Sequence, residues 1–209
     1  TAAAFISSNQ SKRVLLIGAD KMSSIINYQD RKTCIIFGDG AAAVLIEPSV
    51  NAFGFEGATY GNNGIGRDFL NIPEGGSRHP FGATSFENGK QYIQQEGRTV
   101  FKYAVNHMTE ASKKIINQFN LSPESIDFVL PHQANKRIID ATATAIGVSE
   151  NKVLSNIQYY GNTTAATLPL LLSDYEEKFK VGDKLLFTAF GGGFTWGSAY
   201  LTWNYENKK

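Results

Sequence analysis

Two stretches of this 209-residue chain repeat one pattern. "RVLLIGAD" (13–20) followed by "CIIFGDGAAAVLIE" (34–47) resembles "KLLFTAFGGG" (184–193) followed by "FTWGSAYLTW" (194–203). Each is an apolar run of strand length, then a glycine-rich hinge, then a second run whose first half is small residues. Such an echo predicts an α/β protein of two related parts, each ending in the same strand pair. Only the end of the first part is present. "TAAAFISS" (1–8) reads as the tail of a helix, without an initiator Met. The expectation is that the start of the protein lies upstream of Thr1. Residues 1–48 then end the N-terminal half, 49–96 form a connecting and insert region, and 97–209 make the C-terminal half.

The local patterns fill in this frame. Residues 12–20 predict a buried strand, and 33–48 predict two strands hinged at Gly38-Asp39-Gly40. Residues 49–96 are rich in Gly, Asn and Ser with weak periodicity, which predicts loops and short strands. Val100, Ala104, Met108, Ala111, Ile115 and Phe119 recur at three- and four-residue spacing, which predicts a helix over 98–119 with one apolar face. Ser122 caps a short turn with Pro123 at its first position. "IDFVLP" (126–131) predicts a strand. "NKRIIDATATAIG" (135–147) predicts a helix with Ile138, Ile139, Thr142, Ala145 and Ile146 inward, stopped by Gly147. Residues 161–179 read as a buried helix, 183–190 as a strand, "GGGF" as a turn and 195–203 as a last strand.

Composition narrows the function classes. Hydrophobic residues are 42% and charged residues 19%, as in a soluble globular chain. A net charge of +1 argues against nucleic-acid binding by bulk charge. No apolar run approaches the ~20 residues that span a bilayer, and the start lacks the basic region of a signal peptide. The single cysteine, Cys34, excludes an intrachain disulfide and fits a reducing, cytoplasmic setting.

"VLPHQANKR" (129–137) places His132 where a buried strand turns into a helix, and ligands of open α/β sheets gather at such carboxyl ends. There a histidine can donate a hydrogen bond or move a proton; a core histidine tied to a backbone carbonyl is the structural alternative. "YGNTTAAT" (160–167) puts Asn162 before residues too small to block access. Its amide N–H could face a developing oxyanion, or it could simply cap a helix. "FGGGF" (190–194) lets backbone N–H groups approach a ligand, or makes a tight turn. Neither "FGGGF" nor "FGDGA" (37–41) fits a nucleotide-phosphate loop. Cys34 lies in an apolar run without a cationic neighbour and reads as buried and inert. His79, beside Pro80, and His107, mid-helix, read as structural or solvated. Three histidines and one cysteine offer no metal spacing, and no GxSxG elbow is present.

Together "VLPHQANKRII", "YYGNTTAAT", "FGDGAAAVLIE" and "AFGGGFTWGSA" resemble the β-ketoacyl-[acyl-carrier-protein] synthase III family, with "GRTVFKYAV" (97–105) and "DRKT" (30–33) in support. The resemblance covers the chain except for a looser 49–96 stretch, and it implies a thiolase-like fold with layers α-β-α-β-α. It implies an initiating condensing enzyme of fatty-acid synthesis. Such an enzyme joins acetyl-CoA or a short branched acyl-CoA to malonyl-acyl-carrier protein with loss of CO2. It implies no cofactor and no metal, since coenzyme A thioesters are substrates. By resemblance His132 and Asn162 are two members of a Cys–His–Asn triad, and Gly192 contributes to an oxyanion hole. Arg31, Gly97, Arg98 and Asn135 match coenzyme A contacts, although relatives often carry Asn where Arg98 stands. Met22 and Phe37 match the acyl pocket. Lys102 and Arg137 match the basic surface that receives the acidic acyl carrier protein. The partners implied are that carrier, the thioester substrates and, in the intact protein, a second copy; no nucleic acid and no membrane.

The resemblance places the nucleophilic cysteine on the helix containing "TAAAFI", a few residues upstream of Thr1, and Cys34 does not match it. The chain by itself is therefore expected to be inactive and poorly soluble, with apolar faces exposed. A non-catalytic carrier-binding subunit is the alternative from another class. Within enzymes the alternative is a chalcone-synthase-like or long-chain condensing relative. The intact mass of the undigested protein checks the expected upstream segment: it should lie well above the 22.9 kDa of these residues, and a mass at that value would favour the carrier-binding subunit.

Overall fold

The computed structural model describes residues 1–49 and 53–206. The N-terminal helix α1 (Ala2–Ser7) leads into strand β1 (Val14–Asp20), which pairs antiparallel with β2 (Gly40–Ile46). Strand β3 (Phe55–Asn62) joins a second sheet, and a small ribbon pairs β4 (Leu70–Asn71) with β5 (Gln94–Gln95). The long helix α2 (Gly97–Gln118) follows, then β6 (Phe128–Pro131), α3 (Lys136–Ile146), α4 (Ile157–Tyr160), α5 (Thr167–Tyr175), β7 (Lys184–Gly191) and β8 (Thr195–Thr202). The second sheet has the order β3-β8-β7-β6, parallel only between β6 and β7. The echo seen in the sequence appears as two antiparallel pairs, β1–β2 and β7–β8.

Alternation along β6 and β7 sorts the core into two faces. Val129 and Leu186 point to one side, where Ile115, Ile116, Ile126 and Ile146 of the α2–α3 layer bury them. Leu130 and Leu185 point to the other, against Leu171 of α5 and Phe179. α5 also touches β1 and β2. The layers therefore run β1–β2, α5, the four-stranded sheet, then α2 with α3. Met108, Ile115, Leu130, Leu171, Leu185 and Leu186 are almost wholly buried, each stabilising by about 1.5–3 kcal/mol. Helix α2 buries the predicted stripe from Val100 to Ile115. Its start is capped by Glu96, whose Oε2 accepts from Thr99 N–H at 3.2 Å. Ser122 caps the predicted turn reciprocally with Ser125. No helix among the described residues is long and apolar enough to cross a membrane.

Several local expectations are corrected. β1 is only partly covered: Leu15, Leu16 and Ile17 are 59%, 43% and 65% exposed, as is Leu45 opposite Leu15 at 54%. Leu15 and Ile17 lie on the outer face, which the described chain leaves uncovered. Residues 33–37 form a turn instead of a strand, because Asp30 competes for the backbone. Its carbonyl accepts from Thr33 and Cys34 N–H, and its side chain from Lys32 N–H and the Thr33 hydroxyl. Cys34 is thus half-buried in a turn. In α3 the inward residue is Ala143, with Ala145 exposed. The helix expected over 161–179 begins only at Thr167, because residues 161–166 bond to the β1–β2 layer.

That bonding needs two glycines. A Cβ on Gly18 would lie 2.2 Å from the Ala165 carbonyl oxygen, and one on Gly38 2.1 Å from that of Tyr160. Both contacts are with backbone, which cannot swing aside like a side chain. Gly18→Ala should therefore cost about 1–3 kcal/mol in urea unfolding; a change under about 0.5 kcal/mol would refute this account of the interface.

Candidate active site

An open cavity of about 1430 Å3 lies between the β1–β2 layer, α2, the β6–α3 junction and the β7–β8 turn. His132, Asn162, Gly192, Gly97, Arg98, Asn135, Arg137 and Phe37 all line it. The remaining predicted residues do not. Met22 is buried in a 3-10 turn (Met22–Ser24) and is not among the residues lining the cavity. Arg31 is exposed, and its neighbour Lys32 lines the cavity instead. Lys102 is exposed on α2, one residue from Phe101. The Arg137 guanidinium lies 5.3 Å from the centroid of the Phe101 ring on α2.

His132 is placed by strand geometry. β6 pairs with β7 through Pro131 opposite Thr188, and His132 N–H then donates to the Thr188 carbonyl at 2.8 Å. The Thr188 hydroxyl is held in the core by Ser198 at 3.0 Å, and Ser198 by Ser112 of α2 at 3.1 Å. The imidazole makes no hydrogen bond to another described residue, so it is not tied to a backbone carbonyl. Burial alone pushes its pKa down to about 4. At neutral pH it is uncharged, with one N–H to donate.

Asn162 is placed by backbone. Its N–H donates to Ile36 O at 2.9 Å, and its carbonyl accepts from Gly38 N–H at 3.0 Å, forming an isolated parallel bridge opposite Phe37. Its side-chain oxygen accepts from Thr164 N–H at 3.0 Å. With the oxygen engaged, the NH2 end is the part free to meet a ligand. The bond to Thr164 is a local turn bond and not a helix cap: the 3-10 turn Thr164–Ala166 is capped at Thr163 and α5 at Ala166, neither through a side chain. Asn162 remains a candidate donor. Asn135 is similar: its side-chain oxygen caps α3 through Arg137 N–H at 2.9 Å, leaving its NH2 available.

Gln133 carries a role that the sequence did not reveal. It is 1% exposed. Its side-chain oxygen accepts from the Ser155 hydroxyl (3.0 Å), Asn156 N–H (3.1 Å) and Ile157 N–H (3.2 Å). Its NH2 donates to Pro131 O at 2.7 Å, and its backbone N–H donates to Thr167 Oγ1 at 2.8 Å. It joins the His132 strand end to the segment that leads into Asn162. The available signal was a second amide beside His132, which gives no indication of its partners. His107, by contrast, stacks on Trp196 at 3.8 Å, as a structural reading expects. Cys34 is not among the residues lining the cavity.

The layered sheets and the cavity at their strand ends define a thiolase-fold α/β protein. Two family models match the chain: 3-oxoacyl-[acyl-carrier-protein] synthase III over residues 1–64 and its C-terminal model over 116–203. β-Ketoacyl-[acyl-carrier-protein] synthase III 2 of Bacteroides thetaiotaomicron is 50% identical over the whole chain, which spans 62% of that protein. The Chlorobaculum tepidum synthase III is 45% identical over 97% of the chain and 63% of its own length. The crystal structure of the Aquifex aeolicus synthase III superposes with a TM-score of 0.85 at 38% identity, over 96% of this chain and 61% of that one. The chain belongs to the 3-oxoacyl-[acyl-carrier-protein] synthase III family, and it spans somewhat under two thirds of the length of the curated relatives it matches.

The lowered pKa of His132 makes stability depend on pH. An unfolded histidine takes a proton near 6.5, the folded one only near 4. The unfolded state therefore binds more protons between these values, and stability present above pH 6.5 is lost as pH falls toward 4. Replacing His132 with Asn should remove up to about 3 kcal/mol of that loss, read as a flatter pH dependence of urea unfolding between pH 7 and 4.5. Parallel curves for the two proteins would mean that the imidazole is not held neutral.

Proposed function

We propose that the protein is an initiating condensing enzyme of fatty-acid synthesis. It would join an acetyl or short branched acyl group from coenzyme A to malonyl-acyl-carrier protein, releasing CO2. The observation that carries this reading is the pairing of an uncharged His132 with an Asn162 whose amide oxygen is already engaged, both facing one cavity. This pair offers two N–H donors and no anion. That suits a malonyl thioester, whose carbon–carbon bond to the carboxylate breaks to give CO2 and an enolate. The negative charge gathers on the thioester oxygen, where the two donors act. The enolate carbon would then attack an acyl thioester on a cysteine other than Cys34, which does not line the cavity. A carbon–carbon bond forms, the thiolate leaves, and a 3-oxoacyl product remains on the carrier. Gly192, at the cavity wall on the β7–β8 turn, would offer its N–H to the tetrahedral oxyanion of that step.

The rest of the cavity fits the same substrates. Lys32, Arg98 and Arg137 supply positive charge to the phosphates of coenzyme A and of the carrier's pantetheine arm. Gly97 at the start of α2 has open space where a side chain would stand, room for that arm to pass. Arg31 would lie outside the cavity against the adenine, and Asn135 would donate to the arm. Phe37 would contact the acyl group; Met22 would support that wall from behind. Lys102, one residue from Phe101, extends the basic surface toward an acidic carrier protein. Coenzyme A thioesters enter as substrates, with no bound cofactor. The working protein is read as a cytoplasmic homodimer, the second copy in keeping with the exposed apolar residues Leu15, Ile17 and Leu45 of β1 and β2, which call for cover.

The division of labour can be tested in the full-length protein. His132→Ala and Asn162→Asp should each lower malonyl decarboxylation about 100- to 1000-fold while leaving acyl transfer to the cysteine largely intact. Equal loss of both half-reactions would sink the assignment.

A further inference from the structure

Asn162 works only if its NH2 points into the cavity, and the turn that fixes it is conformationally costly. Thr164, whose N–H holds the Asn162 side-chain oxygen, has φ +49°, a left-handed conformation that a β-branched residue seldom adopts. Something must hold it there. The structure shows one carboxylate aimed at this turn, from more than 140 residues away in the chain. Asp20, the last residue of β1, accepts from the Thr164 hydroxyl and from Ala165 N–H at 2.8 Å, both on the same oxygen. Asp20 is not among the cavity-lining residues, whereas Thr164 and Ala165 are.

We propose that Asp20 is a positioning residue for Asn162: it locks the Thr164 turn from the β1–β2 layer and so directs the Asn162 amide into the cavity. This deepens the proposed function and rests on it. The physical logic is a relay of hydrogen bonds. Asp20 holds the Thr164 hydroxyl and the next N–H, which fixes the backbone of Thr164. Thr164 N–H then stays on the Asn162 oxygen, and the NH2 is left pointing at the substrate. Two charge-assisted bonds are enough to hold one strained residue. Loss of Asp20 would let Thr164 relax, free the Asn162 oxygen and allow the amide to turn. Asp20 also marks where β1 ends: Asp20 pairs with Gly40, so the carboxylate is delivered by the same ladder that brings Gly38 against Asn162.

The test is a double-mutant cycle in the full-length protein, with malonyl decarboxylation and acyl transfer to the cysteine measured side by side. Asp20→Ala should lower decarboxylation about 10- to 100-fold with acyl transfer within about threefold of wild type. Asp20→Asn, which keeps an acceptor oxygen for both donors, should recover most of the decarboxylation rate. Asp20→Ala added to Asn162→Ala should have no further effect, because Asp20 acts through Asn162. A wild-type decarboxylation rate in Asp20→Ala, an equal fall in acyl transfer, or a further loss in the double variant would each overturn the inference. Should Asp20→Ala fail to fold, Thr164→Val removes the hydroxyl from the other side at constant shape, and an unchanged decarboxylation rate there would overturn it equally. If Asn162→Ala alone leaves decarboxylation intact, the proposed function itself falls. If Asn162→Ala abolishes it while Asp20→Ala does nothing, only the positioning role falls.

Discussion

Two backbone hydrogen bonds, Asn162 N–H to Ile36 O and Gly38 N–H to Asn162 O, hold the cavity's walls together. They are the point where the β1–β2 layer and the layer containing α5 become one structure. A loop residue buried to 8% exposure would otherwise leave its N–H and carbonyl unsatisfied, at about 1–3 kcal/mol each. The bridge forms only because the two backbones approach without side chains between them, which Gly18 and Gly38 permit. Helix formation over 161–163 is given up in exchange, and Thr164–Ala166 forms only a 3-10 turn. α5 therefore starts at Thr167, and Asn162 is presented from an extended segment that no helix could provide.

Gln133 shows the same principle applied to side chains. An apolar residue at this position would pack, but Ser155, Asn156 and Ile157 would lose an acceptor inside the protein. Removing one partner of a buried network costs more than the network contributes when complete. The polar shell under the site therefore behaves as a unit: Thr188, Ser198 and Ser112 behind His132, Gln133 between the two segments, and Thr167 at the start of α5.

How far the sequence could be read depended on whether its signals were local. The stripe on α2 was legible because burial on one side imposes a helical period on composition. The β6–α3 junction was legible because apolar run, proline, cap residue and Gly147 fall in order. The phase of α3 was read two residues off at Ala145 because two alanines, 143 and 145, carry equal hydrophobic weight. Strand β3 was not placed individually. Two glycines, Glu56 and Asn62 dilute the strand bias of Phe55, Thr59 and Tyr60, and it exists by pairing with β8. Apolar 33–37 misled in the opposite direction: local bonds from Asp30 overcame strand propensity. Within the site, His132, Asn162 and Gly192 could be found from their motifs. Gln133 and Asp20 could not, since most of their hydrogen-bond partners are 21 to 145 residues away.

Burial of His132 has a consequence for the chemistry proposed at this site. A protonated imidazole would also donate hydrogen bonds, and more strongly. Its full charge, however, would attract the malonyl carboxylate as well as the developing enolate oxygen. Stabilising that carboxylate in the ground state opposes the departure of CO2, so part of the interaction would not lower the barrier. A neutral imidazole beside a neutral amide is attractive mainly where charge accumulates on the thioester oxygen, and it leaves the carboxylate unpaired. A site at the end of β6 that keeps histidine uncharged at neutral pH would thus favour the transition state of the proposed reaction over its substrate. The burial that lowers stability in mild acid would be the same property that suits the pair to the proposed decarboxylation.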